Sequence, residues 1–242
     1  MRTSSSAGDP VRVLSAVAVQ AALKELTAMF EAEIGGKVAL AFDTNPAVAR
    51  RIENGAAFDV AILNPHLIDD LTRLRLVDVT TRLKFGTSPI GVGVRAGGRA
   101  VDVSSEAAFV RLLLEVKSIG YSSEGTSGKR FLEAVDRLHI LEAVRTKLIP
   151  LAGGALGTAV AAGEVEISIA PISTILAAAP ATEVAGVLPR GLASQIDLEL
   201  VIATSLLDRD RAQAFIDFLT RPSIDAFVAA KGIERIAALP LV

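Results

Sequence analysis

Apolar positions recur along this chain in two rhythms, period two and then period 3.6, and the alternation repeats with few interruptions. Residues 11–16 form a short apolar run, followed by Leu23, Leu26, Met29 and Phe30 at helical spacing up to Gly35-Gly36. Val38, Leu40 and Phe42 then alternate as a strand over 37–42. Asn45-Pro46 opens the next helix, with Asn45 as N-cap and Pro46 at the first helical position, and Asn54-Gly55 stops it. A strand over 59–63 and a helix from Asn64-Pro65 through Leu74 complete three strand–helix units. Such units build a parallel sheet with crossover helices.

A strand over 90–95 follows Gly86-Thr87-Ser88-Pro89, and a second set begins after the turn Ala96-Gly97-Gly98. Helices are expected over 105–115, 129–138, 155–162 and 172–178, and strands over 118–121, 147–151, 166–170 and 183–188. A strand over 198–203 and two amphipathic helices, 209–219 and 223–231, close the chain. The pattern predicts an α/β protein of two lobes, 10–88 with 200–242 and 89–199, joined by two crossing strands. The closing helices should pack on the first set, and residues 1–9 should be disordered.

Loops after the strand C-termini of a parallel sheet gather on one rim, where ligands bind. The first rim holds 17–20, 43–45 and 64–65; the second holds 122–128, 152–154 and 171–173. Two facing rims make a cleft that closes on a ligand. The candidate ligand-binding residues are Ala18, Val19, Thr44, Asn45 and Asn64 on one side. Ser122, Ser123, Thr126, Ser127, Gly128, Gly153, Gly154 and Pro171 face them from the other. Hydroxyls and bare N–H groups at helix starts favour an anion or a polar ligand. The same residues also serve as ordinary N-caps. Lys129, Arg130 and Arg95 could add charge at the rim or simply face solvent.

Two sharper readings of the 119–130 stretch fail. A phosphate-binding loop needs Gly-x-x-x-x-Gly-Lys-Ser/Thr, but Ser123 replaces the first Gly and Arg130 the final hydroxyl. A hydrolase elbow needs Gly-x-Ser-x-Gly, and Ser127 is followed by Gly128-Lys129.

Composition narrows the options. Apolar residues make up 51% but aromatics only 4%, so the core is aliphatic and suits a sheet covered on both faces. With 25 basic and 27 acidic residues and no basic block, nucleic acid is excluded as a partner. Absence of cysteine excludes disulfides and thiolate metal sites. The chain start lacks an apolar signal-peptide core, and no run of about 18 apolar residues predicts a membrane span. His66 and His139 have no metal-binding spacing. The acidic pairs Asp69-Asp70 and Asp208/Asp210 fit helix starts favoured by the dipole.

The order of elements resembles the type II periplasmic solute-binding proteins, and the local motifs are similar to their molybdate-binding-protein-like branch. In the first lobe these motifs are Val13-Leu14-Ser15-Ala16, Glu33-Ile34-Gly35, the run from Val48 to Ala56, and Phe58-Asp59-Val60-Ala61-Ile62. In the second they are Ser127-Gly128 and Ala161-Ala162-Gly163-Glu164. The resemblance implies two mostly parallel sheets flanked by helices and a monomer that closes about a hinge. It implies capture of a small polar or anionic solute, delivery to the membrane permease of an ABC transporter, a periplasmic location and no cofactor. The branch's ligand serine at the first helix start falls at Ala18, its second hydroxyl at Asn45 beside Thr44, and its ligand tyrosine near Ala170. Losing hydroxyls disfavours molybdate itself, because a dianion needs many donors to offset desolvation. Backbone donors at Ser127 and Gly153-Gly154 survive side-chain change. The alternative is a cytosolic small-molecule-sensing module on the same fold. Catalysis is not expected, for want of a nucleophile–base pair or a metal set.

Overall fold

The computed structural model describes residues 9–192, 194–206 and 209–235. Eight of the nine N-terminal residues expected to be disordered, and Asp208, lie outside that range. The first lobe is built from β1 (Val11–Ala16), α1 (Gln20–Glu33), β2 (Val38–Asp43), α2 (Asn45–Glu53), β3 (Val60–Leu63) and α3 (Pro65–Arg73). A long strand, β4 (Val77–Arg95), leads to α4 (Glu106–Glu115), β5 (Ile119–Ser122), α5 (Thr126–Arg137) and α6 (Leu141–Val144). The second lobe continues through β6 (Leu148–Leu151), α7 (Leu156–Ala162), β7 (Ile167–Pro171), α8 (Ile172–Leu176) and β8 (Thr182–Val187). The return strand β9 (Gln195–Ala203) precedes α9 (Asp210–Thr220) and α10 (Asp225–Ala230).

Each lobe has a parallel core of three strands, β2-β1-β3 in one and β7-β5-β6 in the other. The crossing strands add antiparallel pairings. β9 pairs β3 and the 77–89 part of β4, while the 90–94 part of β4 pairs β7. β4 therefore passes from one sheet to the other at Pro89/Ile90. Pro89 cannot donate to a ladder, and it stands where β4 exchanges one set of partners for the other. β3 is buried along its whole length. Its two faces are covered by separate layers: Val13, Ile62 and Phe30 on one side, and Ala61, Leu63, Ile52, Ile68 and Leu71 on the other.

The closing helix α9 packs on α1. Phe30 of α1 meets Phe215 and Phe218 of α9 edge-on, with ring centroids 5.0 and 5.5 Å apart. The chain after α10 then turns back to the crossing strand, where Thr87 and Glu234 exchange backbone bonds of 2.8 and 2.7 Å.

Three local expectations are corrected. The crossing strand begins at Val77, not at residue 90, because the 77–84 stretch mixes exposed Val79 and Leu83 with charged residues and shows no clean apolar face. α5 begins at Thr126 rather than at 129, because Gly128 acts as a packing residue inside the helix. Asn45 is not an N-cap: Thr44 occupies that position without a capping side-chain bond, and Asn45 Oδ1 accepts instead from the Asn64 N–H at 2.9 Å. The apolar pattern predicts neither α6 nor a β9 that starts as early as Gln195.

The exposed part of β4 carries one acid-sensitive contact. Hydrogen bonds from Thr80, and an ion pair with Arg209 ahead of α9, hold the Asp78 carboxyl down to about 2. A carboxylate with a lowered folded-state pKa stabilises fully above its unfolded value. That contribution is lost as pH falls from the ordinary 3.8 towards 2. Asp78→Asn should therefore flatten stability against pH in that window, read as denaturant midpoints at pH 2 and pH 5. An unchanged slope would discount the contact.

Candidate functional site

The two rims meet at a small cavity of about 30 Å³, enough for one or two waters. Val17, Ala18, Thr44 and Asn45 line it from the first lobe. Ser122, Gly125, Thr126, Ser127, Gly153 and Leu156 come from the second, with Pro171 and Thr174 beside them and Ile196 from the return strand. Every one of these side chains is uncharged. Two wider grooves open on either side. One, about 590 Å³, carries Asp43, Glu124, Ser123 and Gly154; the other, about 580 Å³, carries His66, Lys129 and Glu133.

The cavity sits where helices begin. A 3₁₀ turn, Val17–Val19, leads into α1, and another, Gly153–Ala155, leads into α7; α2 starts at Asn45 and α5 at Thr126. None of these four starts has a side-chain cap. Ser105 caps α4, away from the cleft, by accepting from the Ala108 N–H at 3.2 Å; α3 and α9 also start without a side-chain cap, so what marks this place is that four such starts gather at one cavity. First-turn N–H groups have no intrahelical acceptor, so uncapped ones at a cavity are donors in search of a partner, backed by the helix dipole.

Side-chain hydroxyls add to them. Thr44 Oγ1 is sealed from solvent and has no hydrogen-bond partner. Leaving a buried hydroxyl unsatisfied costs about 1–3 kcal/mol, and because Thr44 lines the cavity, a ligand that bonds this oxygen would recover it. The hydroxyls of Ser122, Ser127 and Thr174 bond to no described protein group.

Not all expected residues reach the cavity. Val19 is buried in the core against α1. Ser123 and Gly154 belong to the flanking groove. A Cβ on Gly128 would stand 1.7 Å from Ser122 O, so that glycine seats α5 on the end of β5. Asn64 lies just behind the wall, 1% exposed, bonded to Asn45, Asp197 and Thr126. Its bond to Thr126 joins the two lobes. Arg130 turns away to Ser194 Oγ and Gln195 O, and Arg95 donates to Ala161 O on the far side of the second lobe. His66 and His139 are exposed. Ala170 is fully buried and Pro171, next to it, provides the cavity wall.

Five lining residues were missed: Val17, Gly125, Leu156, Thr174 and Ile196. Gly125 and Val17 lay within the expected loops and could have been chosen. Ile196 is a strand residue whose role depends on where the return strand crosses, which no local pattern reveals.

A profile of the bacterial extracellular solute-binding proteins matches residues 11–234. Among characterised proteins, the chain is 22% identical over 233 residues to an aconitate isomerase from a Pseudomonas species, covering 94% of this chain and 88% of that one. It is 26% identical over 229 residues to the molybdate-binding protein ModA of Azotobacter vinelandii, covering 92% and 88%. The solved structure of the Azotobacter molybdate-binding protein superposes with a TM-score of 0.79 at 19% identity, covering 94% of this chain and all of that one. The sulfate-binding protein SubI of Mycobacterium tuberculosis superposes with a TM-score of 0.76 at 15% identity, covering 96% and 88%.

Proposed function

Because the chain belongs to the bacterial extracellular solute-binding proteins, we propose that it captures a small anion between its lobes and presents it to the permease of an ABC-type transporter outside the cytoplasm. One observation carries the ligand class: four uncapped helix starts converge on an uncharged cavity where Thr44 Oγ1 is buried without a partner. Partial positive charge at those termini attracts an anion, and no carboxylate lines the cavity to oppose it. The named substrates of the relatives, molybdate, sulfate and aconitate, are all anions. Molybdate itself is disfavoured here, since Ala18 offers the cavity only a methyl group and Ala170 does not reach it.

Capture fits the lining better than turnover does. The lining residues hold no imidazole, amine or carboxylate to move a proton. Closure is supported by contacts between the lobes at the cavity edge, where the Gly153 backbone approaches Val17 and Thr44.

A panel of sulfate, molybdate, hydrogen phosphate and short carboxylates, scored by thermal shift, tests the reading. An anion at a hundred times its Kd should add about 2.7 kcal/mol to stability. Thr44→Val should then weaken the best anion by about tenfold, while leaving the apo protein as stable or slightly more so, because an unsatisfied hydroxyl is removed. Equal affinity in the variant would take Thr44 out of the site. A response to neutral sugars alone would end the anion reading.

A further inference from the structure

Asn64 is held by hydrogen bonds that leave its orientation no choice. Its N–H donates to Asn45 Oδ1 at 2.9 Å, its Nδ2 donates to Asp197 O at 2.6 Å, and its Oδ1 accepts from Thr126 Oγ1 at 2.9 Å. A backbone carbonyl can only accept, so the Asp197 contact turns the amide nitrogen towards β9 and the amide oxygen towards Thr126. That oxygen cannot donate. Thr126 must therefore spend its single hydroxyl proton on Asn64, and only lone pairs of Thr126 Oγ1 remain for anything in the cavity that Thr126 lines.

The rest of the lining has the opposite character. Asn45 Oδ1 is occupied by Asn64, which leaves its amide nitrogen as the side-chain group still free to bond. The hydroxyl protons of Thr44, Ser122, Ser127 and Thr174 are uncommitted to any described protein group. The cleft thus presents one fixed acceptor among donors. We infer that Thr126 is an obligate acceptor towards the solute, so the cleft selects an anion that carries its own O–H donor, such as hydrogen phosphate or a 2-hydroxycarboxylate, over fully deprotonated sulfate or molybdate. This rests on the anion reading of the same cavity. A site built to accept from a ligand hydroxyl rejects the analogue that lacks it, because the buried acceptor is then left facing another oxygen's lone pairs.

Two matched pairs of probes isolate that proton. Hydrogen phosphate and sulfate at pH 8 share shape and charge and differ by one proton; 2-hydroxypropionate and propionate differ by one hydroxyl. Calorimetric titration of the whole chain should show the donor-bearing member of at least one pair binding about tenfold more tightly or better. Thr126→Val deletes the acceptor, and Asn64→Leu returns the hydroxyl proton to Thr126, so either change should bring the ratio close to one. If Asn64→Leu does not fold, Thr126→Val carries the comparison, since that residue lies half-buried at a helix start. Wild-type protein that binds sulfate as tightly as hydrogen phosphate, and propionate as tightly as 2-hydroxypropionate, overturns the inference and leaves the anion reading standing. A ratio that survives Thr126→Val overturns it as well. Silence from all four probes removes the anion reading and this inference with it.

Discussion

Gly128→Ala should cost at least about 3 kcal/mol of folding stability, although alanine is the better helix former by nearly 1 kcal/mol. The cause is contact, not propensity. A Cβ at 128 would stand 1.7 Å from Ser122 O, 2.6 Å from Ser122 C and 3.2 Å from a ring carbon of Tyr121. All three belong to β5, a strand inside the second sheet between β6 and β7, so neither strand nor helix can yield alone. Relief requires lifting the first turn of α5 off β5, which also withdraws Phe131, fully buried one turn later. Urea denaturation would show the loss as a lower midpoint with little change in slope. Because Ser122, Thr126 and Ser127 all line the cavity, the folded fraction should also lose anion binding. Wild-type stability in Gly128→Ala would mean that α5 does not rest on β5 as described.

That glycine also shows where sequence reasoning stops. Gly125-Thr126-Ser127-Gly128 has the composition of a loop, and loop is what local propensity returns. The strand end below it decides otherwise, since only a residue without a side chain lets a helix start this close to β5. The strand–helix alternation, by contrast, was legible because β1, β2, β5 and β7 keep their apolar runs and their helices keep one apolar stripe. The rims followed from it, and with them six residues that line the cavity: Thr44, Asn45, Ser122, Thr126, Ser127 and Gly153. Asn64 lies at the expected rim, and its side chain bonds to Asp197 and Thr126, 133 and 62 residues away. Hydrogen-bond partners at such separations leave no trace in spacing. Ile196 and Thr174 escaped for a related reason, since their exposure to the cavity is set by how the two lobes close.

Gly153→Leu should abolish solute binding, by about a hundredfold or more, with little loss of apo stability. Gly153 lines both the cavity and the wider groove beside it, where the second lobe faces Val17 and Thr44 of the first. A Cβ there would lie 3.2 Å from Val17 Cγ1, 3.4 Å from Ser122 Oγ and 3.5 Å from Thr44 Cγ2, which a single methyl group can nearly fit. Three further carbons have nowhere to go except the cavity, the mouth of the groove or the gap between the lobes. The first two displace the solute and the third holds the cleft open, so each route costs affinity. The 3₁₀ turn that carries Gly153 has no buried residues, so the second lobe should fold normally and melt within about 1 kcal/mol of wild type. Gly153→Ala supplies the graded control, losing affinity modestly while preserving closure. Titration with the best anion gives the affinity ratio, and small-angle scattering with that anion present reports whether the leucine variant still compacts. Tight binding by Gly153→Leu would place the solute elsewhere, since a molecule seated between Thr44 and Ser122 has to lie against Gly153.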